Sequence, residues 1–296
     1  MTTASRVLEG TRILSLALNL PGPAALMRCR RMGASCVKLE PPAGDPMGLY
    51  NPGAYAKLHE GVSVLKADLK DEAGRKLLHA ELAKAHVLLT SFRPSALEKL
   101  GLGWKQLHSR YASLSQVAIV GAPGARAEEP GHDLTYLADN GLVPGLDLPP
   151  TLYADMSGSL MASEAVLQAA LKQSERYAGT GEPHPRGQFI EVALSDAAAY
   201  LALPRAWGLT QPGGAVGGAH AGYRVYPCRD GRVAVAALEP HFAAALCAAA
   251  GAPASDIRAM FAPATHSAIA GFMLGQTRQQ LDRLAVEKDI PLHTMA

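Results

Sequence analysis

Among the side chains whose type allows proton transfer are His132, in Gly131-His132-Asp133; Asp155, in the run Leu152–Ser157 (LYADMS); and Glu239, in Leu238-Glu239-Pro240. An imidazole and a carboxylate are the usual pair when a proton must be taken from one atom and returned to another near neutral pH. Asp155 lies just before a helical pattern that starts near Ser157. The field of a helix N-terminus favours a carboxylate there, and unpaired first-turn N–H groups can receive an oxyanion. Each residue also has a plain structural reading. Asp155 is a good N-cap, His132 a loop or core histidine, and Glu239 a first-turn acid.

The elements that must carry these residues follow from hydrophobic patterning. Short apolar runs at Arg12–Leu18, Cys36–Glu40, Val62–Leu65, His86–Thr90, Leu114–Val120 and Gly187–Val192 read as strands. Helical patterns lie between them, at Ala24–Met32, Asp71–Ala85 and Ser157–Tyr177, and Ser195 reads as the cap of a further one. Pro21-Gly22-Pro23 is read as the stop of the first strand. Small residues crowd the start of the Ser157–Tyr177 pattern, which implies close approach there. Alternating strands and helices give an α/β fold with a mostly parallel sheet covered on both faces. A Gly/Pro/Ala-rich stretch follows. Beyond it, Arg229-Asp230-Gly231 signals a hairpin, and helices are expected at Pro240–Ala250 and Gln276–Lys288. The expected organisation is a large domain over residues 1–205, a linker over 206–218 and a small α+β domain over 219–296.

With 296 residues, 48% hydrophobic and 18% charged, the chain can bury a substantial core. A net charge of +2 gives no bulk reason to expect a nucleic-acid or membrane partner. No GxGxxG follows the first strand, and GxxxxGK[ST], GxSxG and HExxH are absent. The four cysteines, Cys29, Cys36, Cys228 and Cys247, form no CxxC pair and read as buried reduced thiols. No signal peptide or spanning segment is legible, so a cytoplasmic location is expected. No metal site is expected.

A series of segments resembles the family III CoA-transferases, and most closely the α-methylacyl-CoA racemases within them. Leu8–Leu14 is similar to the family's opening strand. Gly33–Pro42 with Gly44-Asp45-Pro46 resembles its "GADVIKVEPP-GDP" block, and Asp68-Leu69-Lys70 with Gly74-Arg75 its "DLKD-GR" block. Phe92-Arg93-Pro94 and Leu97–Gly103 resemble "FRPG-LERLGLG". Gly131–Asp133 with Tyr136–Ala138 resembles "GHDINYLA", Leu152–Ser157 "LLADFAGG", and Leu238–Phe242 "LEPQF".

The resemblance implies a Rossmann-like large domain with a small domain, assembled as an interlocked homodimer. It implies an acyl-CoA thioester as partner and no cofactor beyond CoA itself. It places His132 and Asp155 on opposite faces of the thioester α-carbon, with Glu239 orienting the imidazole, and it assigns Arg93, Lys38, Gly131 and Tyr136 to CoA binding. The family's transferases carry Tyr at the His132 position and use the aspartate matching Asp155 as a nucleophile. His132 and Leu-Glu-Pro therefore favour proton transfer, with acyl transfer as the alternative.

Two departures stand out. The family's basic "NRGKRS" run is here His59–Ser63, with Glu60, Val62 and Ser63 at its cationic positions. Charge-assisted phosphate contacts are expected to be weaker, with Lys57, Lys66 or Arg93 as replacements. This loss motivates a third reading, a non-catalytic binding protein or one that takes a different thioester. Family members also continue beyond the turn matched by Ile290–His293, so the segment that returns to the large domain is expected to be absent.

Overall fold

A computed structural model of the chain describes residues 6–177, 186–253 and 258–296. The chain divides into two compact units, Met1–Ala202 and Leu203–Ala296.

The first unit is built on six strands: β1 (Arg12–Ser15), β2 (Ser35–Glu40), β3 (Ser63–Lys66), β4 (Val87–Thr90), β5 (Ser115–Val120) and β6 (Phe189–Ala193). All are parallel, in the order β3-β2-β1-β4-β5-β6. β4 and β5 are buried along their whole length, as strands covered on both faces must be. Side chains alternate between two cores. Val87 and Leu89 face one with Ala162 and Val166 of the helix Tyr153–Tyr177, whereas Leu88 faces the other with Leu78, Leu82 and Leu97.

From β1 the chain winds outward through β2 to β3, then crosses back to β4 on the other side of β1. In such a doubly wound sheet the crevice between these two strands, beyond their carboxyl ends, is where a ligand fits.

Three boundaries on this unit bear on the site and differ from the sequence expectation. β1 stops at Ser15, and Pro21-Gly22-Pro23 opens a helix, Pro21–Arg31, instead of closing a strand. Proline suits a first turn, where its fixed φ is already helical and its missing N–H is not needed. Gly22 is required by contact, since a Cβ there would lie 2.1 Å from Ala17 Cβ. The long helix begins at Tyr153, four residues before Ser157. Its crowded small residues receive the protein itself. A Cβ on Gly158 would lie 2.3 Å from Leu194 Cδ2, and Ser163 Oγ accepts the Arg28 Nε–H at 3.0 Å. Ser195 is not a cap, because its helix begins at Leu194.

The second unit holds an antiparallel sheet of β7 (Tyr223–Cys228), β8 (Gly231–Ala236) and β9 (Leu292–Met295), in that order. Arg229-Asp230 form the expected hairpin loop. The helix Pro240–Ala250 is as expected, and the one expected over Gln276–Lys288 runs from Arg278 to Lys288; Pro263–Gly275 and β9 were not expected. All four cysteines are free and buried. No helix among the described residues is long and apolar enough to cross a membrane.

Candidate active site

A cavity of about 840 Å3 opens at the carboxyl ends of β1, β4 and β5. Leu18, Asn19 and Leu20 follow β1, Ser91, Phe92 and Arg93 follow β4, and Gly121 follows β5. His132, Asp133, Tyr136 and Asp155 add polar groups to its wall, as do Tyr50, Asn51 and Glu129. Sequence-distant segments thus meet at the place where the sheet topology leaves a crevice.

His132 is the N-cap of the helix Asp133–Asp139, and its backbone N–H donates to Thr135 Oγ1 at 3.0 Å. The imidazole is exposed. Asp155 is the third residue of its helix, not the residue ahead of it. Its own N–H donates to Asp133 Oδ1 at 2.9 Å, and the Met156 N–H is taken by the Leu152 carbonyl at 3.0 Å. The first-turn donors expected to receive an oxyanion are therefore partly committed.

The electrostatics of Asp155 also differ from the expectation of a carboxylate held ionised by the helix field. Its pKa is raised from 3.8 to about 6, chiefly by burial and then by the neighbouring Asp133 carboxylate, with His132 opposing. At neutral pH the group is mostly ionised and yet a much stronger base than a surface aspartate.

A consequence for stability follows from linkage. Between about pH 4 and 6 the folded state keeps a proton that the unfolded chain releases. The contribution to folding is therefore fully present below pH 4 and lost as pH rises through 6. Asp155→Asn should stabilise the fold by about 2 kcal/mol at pH 8 and by little at pH 4. Chemical denaturation of both proteins at the two pH values measures this; equal differences at pH 4 and 8 would contradict it.

Gly131 and Tyr136 form a packing unit. A Cβ at Gly131 would lie 2.6 Å from the Tyr136 ring, and one at Gly121 would lie 2.2 Å from its Oη. The two glycines make the slot that the phenol fills. Gly121→Ala and Gly131→Ala should each displace Tyr136 and cost about 1–3 kcal/mol, read from the midpoint of a urea titration.

Lys38, which the resemblance groups with the binding residues, is not part of the cavity wall. Its side chain is fully buried and its Nζ lies 2.5 Å from Asp45 Oδ2, 3.1 Å from Glu40 Oε1 and 2.8 Å from His59 Nε2. Glu40, Asp45 and His59 have the spacing of a cation site, and the Lys38 ammonium occupies its centre. His59 is held neutral by burial above all and also by the ammonium, and its Nδ1 faces the Tyr55 carbonyl at 2.7 Å.

The cluster has a function in the cavity wall. Asp45 accepts the N–H of Asn19 at 3.1 Å and that of Met47 at 2.9 Å, and Asn19 has a left-handed φ of 64°. Both residues line the cavity. Asp45 was legible only as part of a family motif, and Asn19 carried no signal at all.

The structure brings His132, Asp155, Arg93, Gly131 and Tyr136 to one cavity. Glu239 lies in the second unit, as N-cap of Pro240–Ala250, and every residue lining the cavity belongs to the first. Of the altered basic run, Glu60 and Ser63 are exposed and Val62 packs against the core. Lys57 and Lys66 are exposed and outside the cavity wall, whereas Arg93 is in it.

This doubly wound sheet, with His132 and Asp155 on the wall of the cavity at its switch point, has relatives. Residues 8–296 match the model of CoA-transferase family III, and the chain belongs to that family. It is similar to the α-methylacyl-CoA racemase of Mus musculus, with 31% identity over 258 residues, covering 81% of this chain and 64% of that protein. It is similar also to the cinnamoyl-CoA:phenyllactate CoA-transferase of Clostridium sporogenes, with 32% identity over 158 residues, covering 49% of this chain and 38% of that protein. The chain thus spans less than two thirds of either relative's length. The solved structure of Rv3272 from Mycobacterium tuberculosis has the same fold, with a TM-score of 0.82 at 22% identity over 96% of this chain and 83% of that one. The family is enzymatic and contains both racemases and CoA-transferases.

Proposed function

We propose that this protein moves the α-proton of a 2-methyl-branched acyl-CoA thioester through an enolate, and so inverts the configuration at that carbon. The observation that carries this reading is the placement of His132 and Asp155 on the wall of one cavity, with the Asp155 carboxyl raised to about 6. A proton next to a thioester carbonyl is weakly acidic, and a carboxylate with a raised pKa is the stronger base for it. Asp155 takes the proton, the electron pair passes to the carbonyl oxygen, and the His132 imidazolium returns a proton to the opposite face. In the reverse direction the two residues exchange roles. Arg93 is the one permanently cationic side chain in the described cavity wall and would meet a CoA phosphate. Glu239 is proposed to orient His132, on the racemase-like Leu238-Glu239-Pro240 sequence alone.

Incubation with a 2-methylacyl-CoA in deuterated water should place deuterium at the α-carbon and epimerise it, read by mass spectrometry and NMR. No exchange with any of a panel of CoA esters would remove the proposal. The relatives named as CoA-transferases favour a second reading, in which Asp155 attacks the thioester and an acyl-enzyme anhydride follows. Hydroxylamine would then attack the Asp155 carbonyl of the anhydride, expel the acyl group as its carboxylate and leave a hydroxamate at Asp155, whereas proton transfer leaves no adduct.

A further inference from the structure

We propose that Asp133 is a positioning residue, whose buried carboxylate ties the first turn of the Tyr153–Tyr177 helix to the segment that carries His132, so that both proton-transfer groups are presented to the cavity as one unit. The inference rests on the proposed function for its purpose and on the geometry for its existence.

Asp133 follows His132 directly and is the first residue of the helix Asp133–Asp139. Its residue surface is only 5% exposed although it borders the cavity. Its Oδ1 accepts the backbone N–H of Asp155 at 2.9 Å. One side chain therefore bridges the two elements between residues 22 apart in sequence. A hydrogen bond to a charged acceptor is among the stronger ones, and a buried acceptor has no water to replace it. Rotation or sliding of either helix would break this bond, which fixes the separation of imidazole and carboxylate against such motion. Catalytic geometry of this kind tolerates little displacement, about 1 Å at most.

The same carboxylate has an electrostatic effect, because it is a like charge beside Asp155 and raises that group's pKa, second to burial. The other groups around Asp155 are His132, which lowers it, and the phenols of Tyr50 and Tyr136, both of which feel the Asp155 charge. Arg93 acts on Tyr136 from the β4 side. Asp133 is thus both the strut and a fixed negative charge, and two substitutions separate the roles. Asp133→Asn keeps an acceptor oxygen and removes the charge. Asp133→Ala removes both.

The test uses isotope-labelled full-length protein. Amide hydrogen exchange at the Asp155 N–H should rise at least tenfold in Asp133→Ala and stay within about threefold in Asp133→Asn. The Asp155 carboxyl, followed by carbon NMR, should titrate lower by about one pH unit in both variants. In the α-proton exchange assay, Asp133→Asn should move the acid limb of the pH profile down with that titration and keep most of kcat at pH 8. Asp133→Ala should lose a further tenfold or more in kcat. Equal amide protection in wild type and Asp133→Ala would overturn the strut, and an unmoved Asp155 titration would overturn the charge. Both readouts need no substrate. If wild type exchanged no α-proton, the proposed function would fall while the positioning role was still decided.

Discussion

The Asp155→Asn substitution is expected to lower α-proton exchange by about 10²–10⁴-fold, the range that a positioned acid–base group contributes. Asparagine keeps the shape of the residue and leaves its backbone N–H free to donate to Asp133. Substrate should therefore still bind, and the loss should fall on kcat, not on KM. The wild-type pH profile carries a second signature. When Asp155 acts as base it must be ionised, so kcat/KM should fall tenfold per pH unit below about pH 6, the value to which burial and Asp133 raise the group. A single measurement series, exchange against pH for wild type and variant, checks both. A variant within a factor of three of wild type would exclude Asp155 as the base.

The Lys38→Met substitution should cost about 3–5 kcal/mol of folding stability, as expected when one partner of a buried charge cluster is removed. Methionine fits the stem of lysine but leaves Glu40 and Asp45, 2% and 3% exposed, without the ammonium between them. Two buried carboxylates facing one another can be accommodated only if they take up protons or water. Either outcome changes what they hold. Glu40 accepts the Tyr55 O–H at 2.9 Å and the Asp45 N–H at 3.1 Å, and Asp45 holds the Asn19 turn. A non-glycine residue at positive φ persists only where its surroundings enforce it, so Asn19 should relax and the cavity wall with it. Lys38→Arg should not rescue, because a planar guanidinium does not fit a site built around a point charge. Urea denaturation measures the loss. A change below 1 kcal/mol would show that the cluster is not the structural centre that its burial implies.

Much of the fold was legible because its signals are local. Each strand of the large sheet announced itself as a short run rich in apolar residues, most plainly β4 and β5, which are buried along their whole length and have no polar side to mask them. The hairpin at Arg229-Asp230-Gly231 was legible for a similar reason, because its turn chemistry is written in adjacent residues. Legibility failed where two signals compete for one stretch. Pro21-Gly22-Pro23 ends strands and begins helices with equal right, and only the packing of Gly22 on Ala17 shows which applies. The helix start at Tyr153 was missed because Asp155 is as good in a first turn as at an N-cap.

His132 and Asp155 were identified from sequence by residue type and motif, and that is what the chain by itself determined about its chemistry: an imidazole, a carboxylate and a two-sided sheet able to hold them. Tertiary structure decided their environment. Burial beside Asp133 raises the Asp155 carboxyl to about 6 where the helix field alone would lower it, and no local pattern encodes which side chain will lie against it. It decided Lys38 as well. The family resemblance puts Lys38 among the binding residues, but three buried partners from two segments surround it and make it a fixed support for Asn19. Charges act through space and desolvation acts through burial, so both became readable only once distant residues had been brought together.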